Sequence, residues 1–149
     1  MSELRDLYQE MILDHGKNPR NFGETEGARE CDGYNPLCGD RIKVFVKIED
    51  DVIREVTFQG TGCAISTASA SIMTSSLKGK TVDEAEKVFK DFRELVTGAA
   101  IAEEEADKLG KLAIFAGVSE FPTRVKCATL GWHTLMNAIR GDDGTASTE

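Results

Sequence analysis

The chain has 149 residues, four cysteines and 40% hydrophobic residues; that length suits one domain, which should bury roughly 68 to 70% of its unfolded surface and so needs no disulfide to fold. Its formal net charge of −8 argues against nucleic acid and anionic membrane as partners, because both need basic groups to neutralise their phosphates. No apolar run approaches the roughly 18 residues of a membrane span, and Met1-Ser2-Glu3-Leu4-Arg5 lacks a basic-then-apolar export signal, so a cytoplasmic, reducing location is expected, where clustered cysteines are more often metal ligands or catalytic groups than disulfides.

Leu4, Leu7, Tyr8, Met11 and Ile12 recur at helical spacing, with Ser2 as N-cap and Gly16 as a stop, which predicts an amphipathic helix over the first fifteen residues. His15 closes that helix and is read as serving its last carbonyls rather than a metal. A connector from Lys17 to Pro36, rich in Gly, Pro and Asn, predicts irregular backbone. Ile42, Val44, Val46 and Ile48 then alternate with Lys43 and Lys47, the mark of a half-buried strand. Glu49-Asp50-Asp51 turns the chain into a return strand from Val52 to Gln59, with Val52, Val56 and Phe58 on its core side.

Small residues from Ala64 to Leu77 predict a helix that lies close on the sheet, ended by Gly79. Thr81-Val82-Asp83-Glu84 is a capping box. The helix it opens carries Val82, Ala85, Val88, Phe89, Phe92 and Val96 as its apolar stripe and closes at Gly98. Residues 81–110 hold nine acids (Asp83, Glu84, Glu86, Asp91, Glu94, Glu103, Glu104, Glu105, Asp107) against four bases (Lys87, Lys90, Arg93, Lys108), read as a solvated helix face, with a partner-docking surface as the alternative. A last helix is placed from about Cys127 to Arg140, with Leu130, Leu135, Met136 and Ile139 inward and Gly141 beyond its end. On it, Trp132 is expected in the core or an interface, and His133, six residues after Cys127, does not share its helical face. The expectation is one domain over 1–141 with a disordered tail over 142–149. The predicted fold class is α+β: a small antiparallel sheet with helices packed on one face and a metal site at the element ends.

Three cysteines sit at breaks between elements. Cys38 lies in the turn Asn35-Pro36-Leu37-Cys38-Gly39-Asp40, Cys63 follows Gly60-Thr61-Gly62 where strand becomes helix, and Cys127 opens the last predicted helix. A thiol at a helix N-terminus faces unpaired N–H groups and the positive end of the dipole, which favour thiolate. Gly39 allows Cys38 and Asp40 to bend toward one ion, so Cys38, Asp40, Cys63 and Cys127 offer three sulfurs and one oxygen. That set suits zinc, and it also suits iron-sulfur units. Spacing alone leaves inert, buried cysteines as the alternative, and without a C-x-x-C pair neither a zinc ribbon nor a thioredoxin-type site is supported. Cys31, after Arg29-Glu30, has no turn or helix start around it and is read as a bystander.

Four segments together resemble the IscU/SufU/NifU N-terminal family of iron-sulfur cluster assembly proteins: Asp14-His15-Gly16-Lys17-Asn18-Pro19-Arg20-Asn21-Phe22-Gly23, Asn35-Pro36-Leu37-Cys38-Gly39-Asp40, Gly60-Thr61-Gly62-Cys63-Ala64-Ile65-Ser66 and Arg124-Val125-Lys126-Cys127. The resemblance implies metal ligands at Cys38, Asp40, Cys63 and Cys127. It is nearest the SufU branch. Scaffold-type members carry histidine where Lys126 stands and a Leu-Pro-Pro-Val-Lys motif where this chain has Phe121-Pro122-Thr123-Arg124-Val125-Lys126, and the capped helix from Thr81 looks like the SufU insertion.

What this resemblance implies is a zinc-dependent sulfurtransferase that accepts and carries persulfide sulfur from a pyridoxal-phosphate-dependent cysteine desulfurase and serves downstream iron-sulfur assembly components. Cys38, in a Pro/Gly turn, is the expected sulfur acceptor. Arg124 and Lys126 are expected to offset part of the negative charge of the site, with ordinary surface charge as the alternative. Two other readings stay open at this point. One is a scaffold that assembles and transfers a transient [2Fe–2S] cluster, or binds iron, on the same residues. The other is a structural zinc module that only docks partners.

Overall fold

Asp50 and Asp51 both hold left-handed backbone, at φ 55° and 63°, the condition for the two-residue turn that best matches the twist of a hairpin. They join β2 (Asp40–Glu49) to β3 (Val52–Thr61), as the acidic turn predicts. The computed structural model describes residues 2–98, 109–141 and 146–147.

On the other side of β2 lies β1 (Arg29–Asn35), antiparallel, pairing Cys31 with Val44 and Asn35 with Asp40. The connector read as irregular up to Pro36 therefore ends in a strand. Its inward positions are Cys31, Gly33 and Asn35, so it carries no aliphatic alternation and owes its form to the ladder with β2. The short β4 (Ala146–Ser147) pairs parallel with Gly33 and Tyr34, giving the order β3-β2-β1-β4. Of the tail expected to be disordered, residues 142–145 and 148–149 lie outside the described residues.

Between Lys47 and Ile48 the pairing of β2 with β3 shifts, since Lys47 faces Glu55 and Ile48 faces Ile53. Arg54 is thus an extra residue on β3. Because side chains alternate along a strand, one inserted residue moves everything beyond it to the opposite face. Ile53, fully buried, takes the core place expected for Val52, which is half-buried, while Val56 and Phe58 point inward as predicted.

The helices pack on the inward face of the sheet. In α1 (Ser2–Lys17), Tyr8, Met11 and Ile12 lie against the core, as their spacing predicts. Next, α2 (Ala64–Leu77) presents the expected small residues, with Ser69, Ala70 and Ser71 buried. At the start of α3 (Val82–Thr97) the capping box is formed in both directions, and Gly98 ends the helix at φ 84°. The last helix, α4 (Pro122–Arg140), lies across β1 and β2 and against α2. Its close approach is set by two glycines: a Cβ at Gly33 would collide with Thr134, and one at Gly131 would sit 3.3 Å from Ala70 Cβ and Ile42 Cδ1. Trp132 is fully buried, stacked on Phe92 and Phe89, with its indole N–H on Ser69.

Two features depart from expectation. A run of 3-10 turns over Gly110–Glu120 buries Leu112, Ile114, Phe115 and Val118. Moreover, α4 begins at Pro122, five residues before Cys127. Proline at the first helical position is a start signal, because its missing N–H would have had no intrahelical partner anyway.

The acidic face is only partly solvated. Asp83, Glu84 and Glu86 are exposed, but Asp91 is buried and takes an ion pair from Lys87 at 3.3 Å. Glu103, Glu104, Glu105, Asp107 and Lys108 lie outside the described residues. Among the described residues no helix is long and apolar enough to cross a membrane.

Candidate metal centre

Three breaks in the fold converge at one end of the sheet. First, the β1–β2 hairpin closes through Pro36–Gly39, where Gly39 at φ 72° lets its N–H reach back to Asn35 O at 2.8 Å. That turn leaves Cys38 exposed and returns the chain at Asp40, whose carboxylate is 1% exposed.

Second, Cys63 is the N-cap of α2. Its sulfur accepts the Ser66 N–H at 3.4 Å, and its own N–H donates to Asp40 Oδ1 at 2.9 Å. Third, Cys127 projects from the second turn of α4, buried at 2% exposure. It faces the hairpin loop, with its sulfur 3.3 Å from that of Cys38.

Ligand atoms of Cys38, Asp40 and Cys127 all lie within 4.8 Å of one another. Cys63 stands at the margin of this group, its sulfur 3.9 Å from Asp40 Oδ2. In a tetrahedral zinc site with bonds of about 2.3 Å to sulfur, two sulfurs are about 3.8 Å apart. The Cys38–Cys127 pair would open by about 0.5 Å to meet that span, which the exposed loop carrying Cys38 permits. The donor set, three soft sulfurs and one carboxylate oxygen, fits zinc or an iron-sulfur unit. No disulfide joins any of the four cysteines.

The three thiols are not equivalent. A hydrogen bond from Cys127 holds Cys63 down to about 7, helped by the Ser66 N–H and opposed by burial. Conversely, Cys127 is pushed well above the usual thiol range, first by this bond to Cys63 and then by burial and its contacts with Cys38 and Asp40. The expectation that Cys127 gains thiolate character from a helix start is therefore corrected. It lies beyond the four free N–H groups of α4, where the backbone offers no donor to a sulfur. Cys63 alone of the two sits at the true N-terminus.

The remaining sequence candidates fall outside this cluster. Arg124 lays its guanidinium over the Phe121 ring, 4.6 Å from its centre, and neither it nor Lys126 makes an ion pair with a cluster residue among the described residues. Cys31 is buried in the core opposite Val44. His15 does not cap α1, which runs on to Lys17. Its Nδ1 instead meets Ser71 Oγ at 2.7 Å, tying α1 to α2, because the imidazole is turned inward and 6% exposed. His133 packs edge-on against Phe89.

Asn35 joins the site without a metal-binding signal of its own in the sequence. Asn35 is fully buried, and its side-chain N–H groups face Asp40 Oδ2 at 3.4 Å and Cys127 at 3.5 Å. Its signal in the sequence was only an Asn preceding a Pro/Gly turn, which usually marks local turn bonding.

Comparison with known proteins places these residues in a family context. Residues 7–140 match the family described as NifU-like N terminal domain. A Bacillus subtilis protein named zinc-dependent sulfurtransferase SufU is 40% identical over 143 residues, covering 96% of each chain. A Streptococcus pyogenes protein named iron-sulfur cluster assembly scaffold protein IscU is 42% identical over 141 residues, covering 94% of this chain and 87% of its own. Among solved structures, one described as an iron-sulfur cluster assembly scaffold protein for the SUF system, from Fervidobacterium islandicum AW-1, superposes with a TM-score of 0.80. It is 35% identical, over 85% of this chain and 92% of that one.

Proposed function

Because this chain belongs to the NifU-like N-terminal domain family of iron-sulfur cluster assembly proteins, we propose that it is a zinc-dependent acceptor and carrier of persulfide sulfur working with a cysteine desulfurase. Cys38, Asp40, Cys63 and Cys127 are its metal ligands. The observation that carries this reading is the division of the cluster into one exposed sulfur, Cys38, on a four-residue loop, and two sulfurs rooted in helices behind a buried carboxylate.

A zinc ion bound there would keep its ligands as thiolates and blunt their nucleophilicity. Sulfur uptake therefore needs one thiolate to be set free while the others stay in place. Cys38 meets that need, since its loop is bounded by Pro36 and Gly39 and the residue is exposed. Its free thiolate attacks the terminal sulfur of the partner's persulfide. The S–S bond of the partner breaks, a new S–S bond forms on Cys38, and the partner's cysteine leaves as thiolate, so no electrons are gained or lost overall. Asp40 stays fixed through the exchange because the Cys63 N–H holds Oδ1. Lys126, next to Cys127 in the chain, is a cation that would offset part of the net negative charge of the ligand set, while Arg124 stacks on Phe121.

The relatives named as scaffolds support a second reading, in which the same four residues hold a transient [2Fe–2S] cluster. The two separate on protein purified without air. Colourless protein with zinc supports the carrier, and brown protein with iron and sulfide supports the scaffold. For the carrier itself, the test is desulfurase turnover with wild type and with Cys38→Ser. Wild type should accelerate turnover and take up persulfide, and the variant should do neither. Undiminished stimulation by Cys38→Ser would rule the reading out.

A further inference from the structure

Every polar atom of the Asn35 side chain is spent inside the cluster. Its Nδ2 is shared between Cys127 Sγ and Asp40 Oδ2, at 3.5 and 3.4 Å, while its Oδ1 accepts the Leu37 N–H at 3.3 Å. The residue is 0% exposed and sits on the inward face of β1, cross-strand from Asp40. A buried amide costs free energy unless it is bonded, and an aliphatic side chain would fill an inward strand position without that cost. Here the amide reaches three separate pieces of the site: α4 through Cys127, the start of β2 through Asp40, and the loop of Cys38 through Leu37.

We infer that Asn35 is a positioning residue that holds the side chains of Cys127 and Asp40 in place as ligands while leaving Cys38 free to exchange. The inference rests on the metal-site reading above. N–H groups directed at a sulfur and a carboxylate oxygen fix the orientation of both side chains toward a shared ion. Among the described residues no N–H is directed at the Cys38 sulfur, which instead takes the Cys127 thiol at 3.3 Å, while the backbone of its loop is tied through Leu37 N and Gly39 N. The site thus has a held part (Asp40, Cys63, Cys127) and a releasable part (Cys38), and Asn35 keeps the first in place when the second departs.

Asn35→Asp discriminates this role from simple turn capping. It preserves shape and the acceptor for Leu37 N–H but replaces the shared donor with an oxygen facing Asp40 and Cys127. Zinc affinity should fall about 10- to 100-fold in chelator competition. The thiolate-to-cobalt absorption of the Co(II)-loaded protein should also shift, which a mere loss of fold stability would not cause. Asn35→Ser, neutral and smaller, carries the same expectation and serves if the Asp variant fails to fold, each variant being checked by circular dichroism without metal. Wild-type affinity and an unchanged cobalt spectrum in a folded variant would overturn the inference alone. If wild-type protein binds neither zinc nor cobalt, the site reading falls and this inference falls with it.

Discussion

Asp40 and Cys63 are joined twice, by the Cys63 N–H on Asp40 Oδ1 at 2.9 Å and by the approach of the Cys63 sulfur to Asp40 Oδ2 at 3.9 Å. The first bond fixes the carboxylate from the backbone at the start of α2. The second leaves its other oxygen aimed at the sulfurs. Asp40→Asn retains an acceptor for the Cys63 N–H but loses the anionic ligand. The variant should fold, and its zinc affinity should drop about 10-fold or more, read by chelator competition. Loss of fold in the metal-free variant would instead assign Asp40 a mainly structural role.

Gly62 gives that carboxylate its room. A Cβ there would stand 2.7 Å from Asp40 Oδ1 and 3.1 Å from Cγ, so Gly62→Ala must displace the group. Metal affinity should fall with helix content intact, and a variant that binds zinc like wild type would show that the carboxylate can shift without loss.

Reactivity of the metal-free thiols should follow their unequal protonation. Cys63 is depressed to about 7, so its thiolate fraction, and its alkylation rate, should rise through neutral pH and level off about one unit above. Cys127 is raised instead and should stay unreactive over that range. Peptide mapping after iodoacetamide treatment from pH 6 to about pH 8 checks the order. Faster labelling of Cys127 than of Cys63 would contradict the arrangement of their shared proton.

His15 belongs to the fold and not to the cluster. Removing its bond to Ser71 by His15→Ala should destabilise the protein by about 1 kcal/mol, since the buried Ser71 hydroxyl loses one partner while keeping the Arg20 N–H, and leave zinc affinity unchanged. Burial and the charges of Arg20 and Lys111 hold the His15 pKa below its ordinary value. The folded state therefore resists its protonation, and this contribution, present above the ordinary histidine pKa, is lost as pH falls below it. Urea unfolding at neutral and mildly acidic pH measures both effects, and a zinc deficit in His15→Ala would reassign the residue.

Legibility in the sequence followed how local each signal was. The capping box at Thr81 and the acidic turn at Asp50-Asp51 act within four residues, and both are formed as read. Of the three candidate ligand cysteines, Cys38 and Cys63 are marked by flanking Gly and Pro, and Cys127 by the segment Arg124-Val125-Lys126-Cys127 alone. By contrast, β1 has only Cys31, Gly33 and Asn35 facing inward, so nothing in its own pattern announces a strand; β2 imposes it. The bulge at Arg54, which exchanged Val52 for Ile53, depends on cross-strand register and leaves no local trace. The start of α4 is signalled by Pro122, five residues ahead of Cys127, so that thiol lies past the helix terminus and gains nothing from it.

The role of Asn35 was hidden for a related reason. Its local reading, an amide before a turn, is true as far as Leu37, but its contact with Cys127 spans 92 positions of chain. Only the packing of α4 over β1 brings them together.

The most direct measurement of the central claim is X-ray absorption at the zinc edge of the metal-loaded protein. Three sulfurs at about 2.3 Å and one oxygen at about 2.0–2.2 Å are the result expected from Cys38, Cys63, Cys127 and Asp40. A shell of nitrogen and oxygen alone, or one that keeps three sulfurs after Cys38→Ser, would contradict it.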